Sequence, residues 1–160
     1  MATGPGDNIQ KLSLYVSLYA RSIQGEFHWG LLVTDSQSRG TLHHAKDNPS
    51  WQYEKKIAKV DNSATLVCLV RIGSVTSVHD AESVMESIPA DGKPSQRTGE
   101  EFNCGTWAKD SLVALDSKGV IQLPRDIDSL QNSVIALGMK HSRAAELGKG
   151  PTVVNSLGST

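Results

Sequence analysis

The sequence lacks most features of secreted and membrane-spanning proteins. Only two of its 160 residues are cysteine, too few for a secreted disulfide scaffold, which favours two free thiols in a reducing compartment. No apolar run approaches the roughly 18 residues that a membrane-spanning helix needs, and the first eleven residues lack the basic and then apolar pattern of a signal peptide. These absences predict a soluble, cytoplasmic protein with no transmembrane segment.

A surplus of charge is also missing. The 16 Lys and Arg residues are balanced by 17 Asp and Glu residues, and the formal net charge is −1. Neither sign forms a long block that would suit a phosphate backbone, so nucleic acid is not expected as a partner. A chain of this length can bury roughly 68–70% of its unfolded surface in a single domain.

The first half of the chain contains strand patterns. Residues 11–20 alternate aliphatic side chains with serines and tyrosines, which is the period-two pattern of a half-buried strand. Four more strands are predicted: residues 27–35, 41–47, 51–60 and 64–73. The fourth strand of the five is expected at a sheet edge and the fifth in a buried central position. The five strands are predicted to form an antiparallel meander.

The second half of the chain changes to helical spacing. Helices are predicted at residues 77–88, from Asn103 to a stop at Gly119, and at about 126–147, with Gly138 as a candidate break. The sequence therefore predicts an α+β fold, in which a sheet of about five strands packs against helices. This domain would span residues 1–148, followed by a disordered tail over residues 149–160, which are rich in Gly, Ser and Thr.

The two cysteines occupy different sequence environments. Cys68 lies in the apolar run ATLVCLV and is predicted to be a core residue. Asn103 is a good N-cap residue, which would place Cys104 in the first helical turn, where unpaired N–H groups favour an anion. Cys104 is thus the candidate reactive thiol, and the alternative is that it is a small buried apolar side chain.

Histidines supply the candidate partners of this thiol. His28 stands near the start of a predicted strand, and the next strand carries His43 and His44. If Leu42 faces the core, His44 shares its face and can reach His28, while His43 points away. The alternative is a pair of surface histidines on a hairpin. The two remaining histidines are predicted to be solvated: His79 and His141.

The segments HWGLLVTDSQSRGTLHHA and NCGTWAKDSL resemble motifs of the circularly permuted papain-like superfamily, which have the form HWAIYV…VVHLA…NCEHFV. This group is similar to NlpC-type peptidases and includes lecithin:retinol acyltransferase relatives. The resemblance covers residues 12–116 and implies a permuted papain-like fold for the domain. It implies Cys104 as nucleophile, His28 as general base and His44 as the orienting third member, with His43 as a near rival. Backbone N–H groups at the helix start would form the oxyanion hole, and neither a cofactor nor a metal is implied.

Three functions follow as expectations. The first is a cysteine-dependent hydrolase or acyltransferase that cleaves or transfers an amide or ester acyl group, from a small-molecule or peptide substrate, through a thioester acyl-enzyme. The second is an isopeptidase or peptidase of the deubiquitinase-like branch, and the third is a non-catalytic binding module. Gly105 stands where lipid-acting relatives have an acidic residue, and a C-terminal hydrophobic anchor is missing, which argues against a phospholipid substrate.

Overall fold

The computed structural model describes residues 5–23, 25–61 and 63–157, and shows an α+β architecture in which one six-stranded mixed sheet packs against three helices. A short 3-10 helix, Pro5–Asn8, precedes the sheet. The strands are β1 (Ser13–Ala20), β2 (Phe27–Thr34), β3 (Gly40–Asp47), β4 (Trp51–Ile57), β5 (Leu66–Ser74) and β6 (Thr152–Val154). The helices are α1 (Val78–Ser87), α2 (Cys104–Ser117) and α3 (Ile127–Glu146).

The strand order is β4-β3-β2-β1-β5-β6, which differs from the predicted five-stranded meander. The first four strands do form a meander, with β4 at the edge as predicted. The fifth strand pairs with β1 and not with β4. Its run of buried apolar residues suits an interior position in the sheet, where both of its faces are covered.

The sixth strand corrects the prediction of a disordered tail. Thr152–Val154 pair in parallel with β5, which makes the sheet mixed and not wholly antiparallel. This short run is β-branched throughout, and such residues suit a pleated surface. Residues 158–160 of the predicted tail, and residues 1–4 of the predicted domain, lie outside the described residues.

The two faces of the sheet are covered differently. The helices pack on one face, here called the helix face, where alternate residues of β1 and β2 join the larger apolar cluster with α2. The opposite face, here called the open face, carries a smaller cluster that includes Ile9, Tyr15 and Leu32. Segments from the two ends of the described chain reach this cluster, because the Tyr15 hydroxyl accepts from Gln10 N–H and donates to the side-chain oxygen of Asn155. The first strand is therefore buried on both faces, and not half-buried as predicted.

The helices begin where the sequence predicts. Ser77 and Asn103 cap α1 and α2 by accepting from the N–H three residues ahead. Gly119, at φ +74°, follows the end of α2 in the conformation that favours glycine. The third helix runs unbroken through Gly138, so the candidate break is wrong. Glycine serves packing at this position, because a Cβ there would lie 2.7 Å from the Leu18 side chain. None of the helices in residues 5–23, 25–61 and 63–157 is long and apolar enough to cross a membrane.

Candidate active site

Cys104 is the first residue of α2. The Asn103 side chain accepts from Thr106 N–H, and the helix begins directly after this cap, as predicted. The sulfur is almost wholly buried, yet it borders a surface cleft. Trp29 N–H lies 3.4 Å from Sγ and a guanidinium nitrogen of Arg21 lies 3.5 Å from it. The sulfur thus lies beside two hydrogen-bond donors at the N-terminus of α2.

His28 and His44 lie together on the open face. Strand β2 pairs with β3 as far as Leu31 opposite His43, and the paired register stops there. Beyond this point the His28 and His44 side chains meet, with 2.7 Å between Nε2 of His28 and Nδ1 of His44. This is the juxtaposition that strand parity predicts.

The hydrogen bonds fix the tautomer of each ring. The Arg21 guanidinium can only donate, so Nδ1 of His28, 3.4 Å away, must accept. The His28 proton is then on Nε2 and is donated to Nδ1 of His44. The His44 proton is on Nε2 and is donated to the Glu54 carboxylate at 2.9 Å. Glu54 also accepts from Lys46, so a directed chain of bonds runs from His28 to an anchored carboxylate.

Burial sets the charge state of this chain. It lowers the pKa of His28 to about 4, helped by the nearby charges of His44 and Arg21. Burial also lowers the pKa of His44, against the opposing effect of Glu54. Hydrogen bonds from Lys46 and then His44 lower the pKa of Glu54 to about 2. Near pH 7 both imidazoles are therefore neutral, and Glu54 carries the negative charge.

Arg21 lies between the nucleophile candidate and the base candidate. One of its terminal nitrogens is within 3.4 Å of His28 Nδ1 and 3.5 Å of Cys104 Sγ. The sulfur and Nδ1 are thus separated by no more than the sum of these two distances. The structure brings Cys104 and His28 together through the guanidinium instead of by a direct hydrogen bond.

His43 is not part of this group. It projects to the helix face, where its Nδ1 lies 2.7 Å from the Tyr53 hydroxyl and its ring stacks on Tyr53. Its side chain is fully buried, its Nε2 has no partner among the described residues, and burial lowers its pKa to about 4. Leu42 and His44 share the opposite face, as the parity argument requires. The alternative of two surface histidines is wrong, because His44 is only 6% exposed.

The remaining cysteine and histidines lie away from the site. Cys68 is completely buried in the helix-face core, as predicted, and burial raises the pKa of its thiol to about 12. His79 is exposed on α1, as predicted, whereas His141 is half-buried on α3. Both cysteines are free thiols.

Two separate clefts border residues of the site. The first, here called the Cys cleft, has a volume of about 420 Å³ and is bordered by Cys104, Arg21, Asn103 and Gly105. The second, here called the His cleft, has a volume of about 520 Å³ and opens on the open face beside His28 and His44. Cys104 borders the Cys cleft and not the His cleft, whereas His28 borders the His cleft and not the Cys cleft.

Two residues of the site were missed by sequence reasoning. Glu54 is the cross-strand partner of His44 in the register of β3 and β4. A sequence signal for it existed, because pairing the two predicted strands at the short turn between them places residues 44 and 54 opposite each other. Arg21 lies in the segment after β1, outside any periodic pattern, and no sequence signal identified it.

Comparison with known proteins identifies a family but no activity. The profile of a family of unknown function (DUF6914) matches residues 11–137, which is most of the chain, and the chain therefore belongs to this family. No curated protein and no solved structure matches the chain. Among residues 5–23, 25–61 and 63–157, no group of three or more His, Cys, Asp or Glu side chains is arranged to hold a metal ion.

Proposed function

We propose that this DUF6914 member is a cysteine-dependent hydrolase or acyltransferase of the permuted papain-like type. In this proposal Cys104 is the nucleophile, His28 the general base and His44 the orienting residue, with Glu54 as a fourth member. The substrate is an amide or ester whose acyl group is carried on the sulfur as a thioester.

A single observation carries the proposal. Four groups from different elements lie in a row in the folded protein: the Cys104 sulfur from the start of α2, the His28 ring from β2, the His44 ring from β3 and the Glu54 carboxylate from β4. The two ring contacts measure 2.7 and 2.9 Å, and their direction leaves Nδ1 of His28 unprotonated on the side of the sulfur. A buried core cysteine such as Cys68 has no comparable surroundings.

The chemistry follows from these positions. The thiol proton passes to His28 Nδ1, the sulfur attacks the carbonyl carbon and a C–S bond forms. The His28 imidazolium then returns the proton to the leaving nitrogen or oxygen as the C–N or C–O bond breaks. Water, or an acceptor hydroxyl or amine, releases the acyl group from the thioester with the same base. Glu54 stabilises the transient positive charge through His44.

The helix start provides the groups for an oxyanion hole. The N–H groups of Cys104 and Gly105 have no partner inside α2, because the first turn of a helix leaves its donors unpaired. Both residues border the Cys cleft, where a substrate carbonyl would lie. A Cβ at Gly105 would come within 3.2 Å of Oδ1 of Asn103, the side-chain oxygen that caps the helix, so glycine keeps this turn uncrowded. Preorganised donors of this kind stabilise the tetrahedral intermediate.

The position of Arg21 favours a second candidate, a non-catalytic binding module. Its guanidinium occupies the space through which the proton would pass between Cys104 and His28. Catalysis requires this side chain to move. Arg21 is exposed in the segment after β1, which leaves room for such a movement. If the guanidinium stays in place, the site binds ligands and does no covalent chemistry.

Trapping of the acyl-enzyme distinguishes the two candidates. Acyl esters, peptides and ubiquitin-like conjugates are offered to the intact protein and to Cys104→Ala, and intact mass is followed with time. We expect a mass increase equal to one acyl group, mapped to Cys104 and absent from the variant. The deubiquitinase-like alternative predicts that only the ubiquitin-like conjugates give the adduct.

Thiol labelling is the second arm of this experiment. With iodoacetamide at pH 7, Cys104 should label in the folded protein while Cys68, with a pKa of about 12 and no exposure, should not. Equal labelling rates of the two thiols, together with no adduct from any substrate, would reject the catalytic proposal in favour of the binding module.

A further inference from the structure

The two clefts of the site differ in charge. The Cys cleft is bordered by two basic residues and two acidic ones, Arg21 and Lys109 against Glu26 and Glu100. The His cleft is bordered by Lys56 and Lys59, and none of the described residues that border it is acidic. The charge on the lining is therefore balanced on one side of the reacting atoms and positive on the other.

The hydrogen-bonding groups of the His cleft have the same bias. Besides the two lysines, the hydroxyls of Tyr19, Ser63 and Thr65 border it. Ammonium groups can only donate hydrogen bonds, and hydroxyls can donate as well as accept. A ligand rich in acceptor oxygens would be matched by this lining.

The two lysines are incompletely neutralised. Lys56 has Glu54 at 3.7 Å, but that carboxylate is already shared with Lys46 and His44. Lys59 has no ion-pair partner within residues 5–23, 25–61 and 63–157. Both side chains are exposed beside a cleft of about 520 Å³, so a bound anion would meet two cationic groups.

The chemistry determines which part of a substrate occupies each cleft. The acyl carbon must reach Cys104, which borders only the Cys cleft, whereas the leaving atom takes its proton from Nδ1 of His28, whose ring borders the His cleft. Because Nδ1 faces the side of the sulfur, the leaving atom lies between the two residues, and the rest of the leaving group extends past the His28 ring into the His cleft. The acyl group therefore lies on the sulfur side and the leaving group on the imidazole side.

From these observations we infer that the leaving group of the substrate is anionic, carrying a carboxylate or phosphate that Lys56 and Lys59 bind in the His cleft. The inference rests on the proposed function, because that function assigns the leaving group to this side. The protein would then select its substrates by the charge on the leaving group and not by the charge on the acyl group.

Two matched esters test the inference by turnover. The probes are 4-carboxyphenyl acetate and 4-carbamoylphenyl acetate, which have the same acyl group and differ in the charge of the leaving group. We expect kcat/KM to favour the carboxylate ester about tenfold, with the difference in KM. Each exposed ion pair contributes modestly, so the preference needs both lysines. The double variant Lys56→Gln and Lys59→Gln should therefore remove most of it. The control variant, Lys118→Gln and Lys140→Gln, has the same loss of charge on residues that border neither cleft, and should keep the preference.

A binding measurement separates this inference from the proposed function. Cys104→Ala protein is titrated with the released products, 4-hydroxybenzoate and 4-hydroxybenzamide, while the ring resonances of His28 and His44 are followed by NMR. We expect 4-hydroxybenzoate to shift both rings with an affinity about tenfold above that of the amide, and the double lysine variant to bind the two alike. Equal affinities in the unsubstituted Lys background, or no shift of either ring, overturn the inference. Failure of both esters to give Cys104-dependent turnover counts instead against the proposed function.

Discussion

The helix face and the open face of the sheet make different contributions to the candidate site, and the adjacent residues His43 and His44 show the difference. On the helix face, His43 is fully buried and stacks on Tyr53, whose ring in turn contacts Trp107. One of the His43 nitrogens has no partner among the described residues. On the open face, both nitrogens of His44 are engaged, one with His28 and one with Glu54. Identical side chains thus serve packing on one face and a polar chain on the other.

This contrast shows how narrowly the site depends on strand register. Successive side chains of a strand point to opposite faces, so a slip of one residue between β2 and β3 would exchange His43 and His44. Apolar packing resists such a slip, since Leu31 and Val33 on β2 belong to the helix-face core. The register that buries these residues also directs His44 to His28.

The largest effect should come from comparing the two cysteines, which lie on the helix side of the sheet in different surroundings. Cys104→Ala removes the nucleophile and should lower turnover of the acyl substrate by roughly a thousandfold or more. Cys68→Ala only removes a sulfur from the core, so it should cost about 1–2 kcal/mol of stability and leave turnover within about twofold. Steady-state kinetics and thermal unfolding of both variants measure these outcomes. Full activity of Cys104→Ala would show that no thiol chemistry occurs.

Much of the local structure follows from the sequence. Local patterns placed β1 to β5 to within a few residues, with period-two alternation for β1 and a continuous apolar run for β5. Ser77 and Asn103 marked the starts of α1 and α2, because their side chains cap free N–H groups of the first turn. Parity within β3 separated His44 from His43. These features depend on neighbours in the chain, and local patterns record them.

What the sequence did not predict depends on pairing between distant segments. Strand β5 beside β1, and β6 beside β5, are choices among several possible sheet orders, and a local pattern does not distinguish them. Arg21 reaches Cys104 across 83 positions of the chain, whereas the pairing of Glu54 with His44 spans only ten positions and was open to inference from the short turn between β3 and β4. Long-range register and loop position are set by the packed fold, so a single sequence gives little information on them.

A smaller effect is expected for His44 on the open face. His44→Ala removes the group that orients His28 and links it to Glu54, and should lower kcat roughly 10–100-fold with KM nearly unchanged. His44→Gln keeps a hydrogen-bonding side chain and should recover part of this loss. The negative charge of Glu54 acts on His28 through the hydrogen bonds of His44. The pKa on the acid limb of the kcat/KM profile should therefore also shift in His44→Ala. A pH–rate profile of the three proteins checks this, and an unchanged profile with unchanged kcat would remove His44 from the mechanism.

The smallest effect on turnover is expected for His43, although its effect on stability is measurable. His43→Gln should leave kcat/KM within about twofold, because the side chain lies on the helix face and contacts Tyr53 instead of His28.

The burial of His43 should make the free energy of unfolding depend on pH. A histidine with a depressed folded-state pKa stabilises the protein fully above the unfolded value of 6.5, and this contribution is lost as the pH falls toward about 4. His43→Gln should therefore flatten the decline in unfolding free energy between pH 7 and pH 4 by up to about 3 kcal/mol. Urea unfolding at several pH values measures the change. The control is His79→Gln, which replaces an exposed histidine in the same way and should leave the pH dependence of the unfolding free energy unchanged. If His43→Gln abolishes turnover while His44→Gln does not, the two faces have exchanged roles and the β2–β3 register in solution is shifted by one residue.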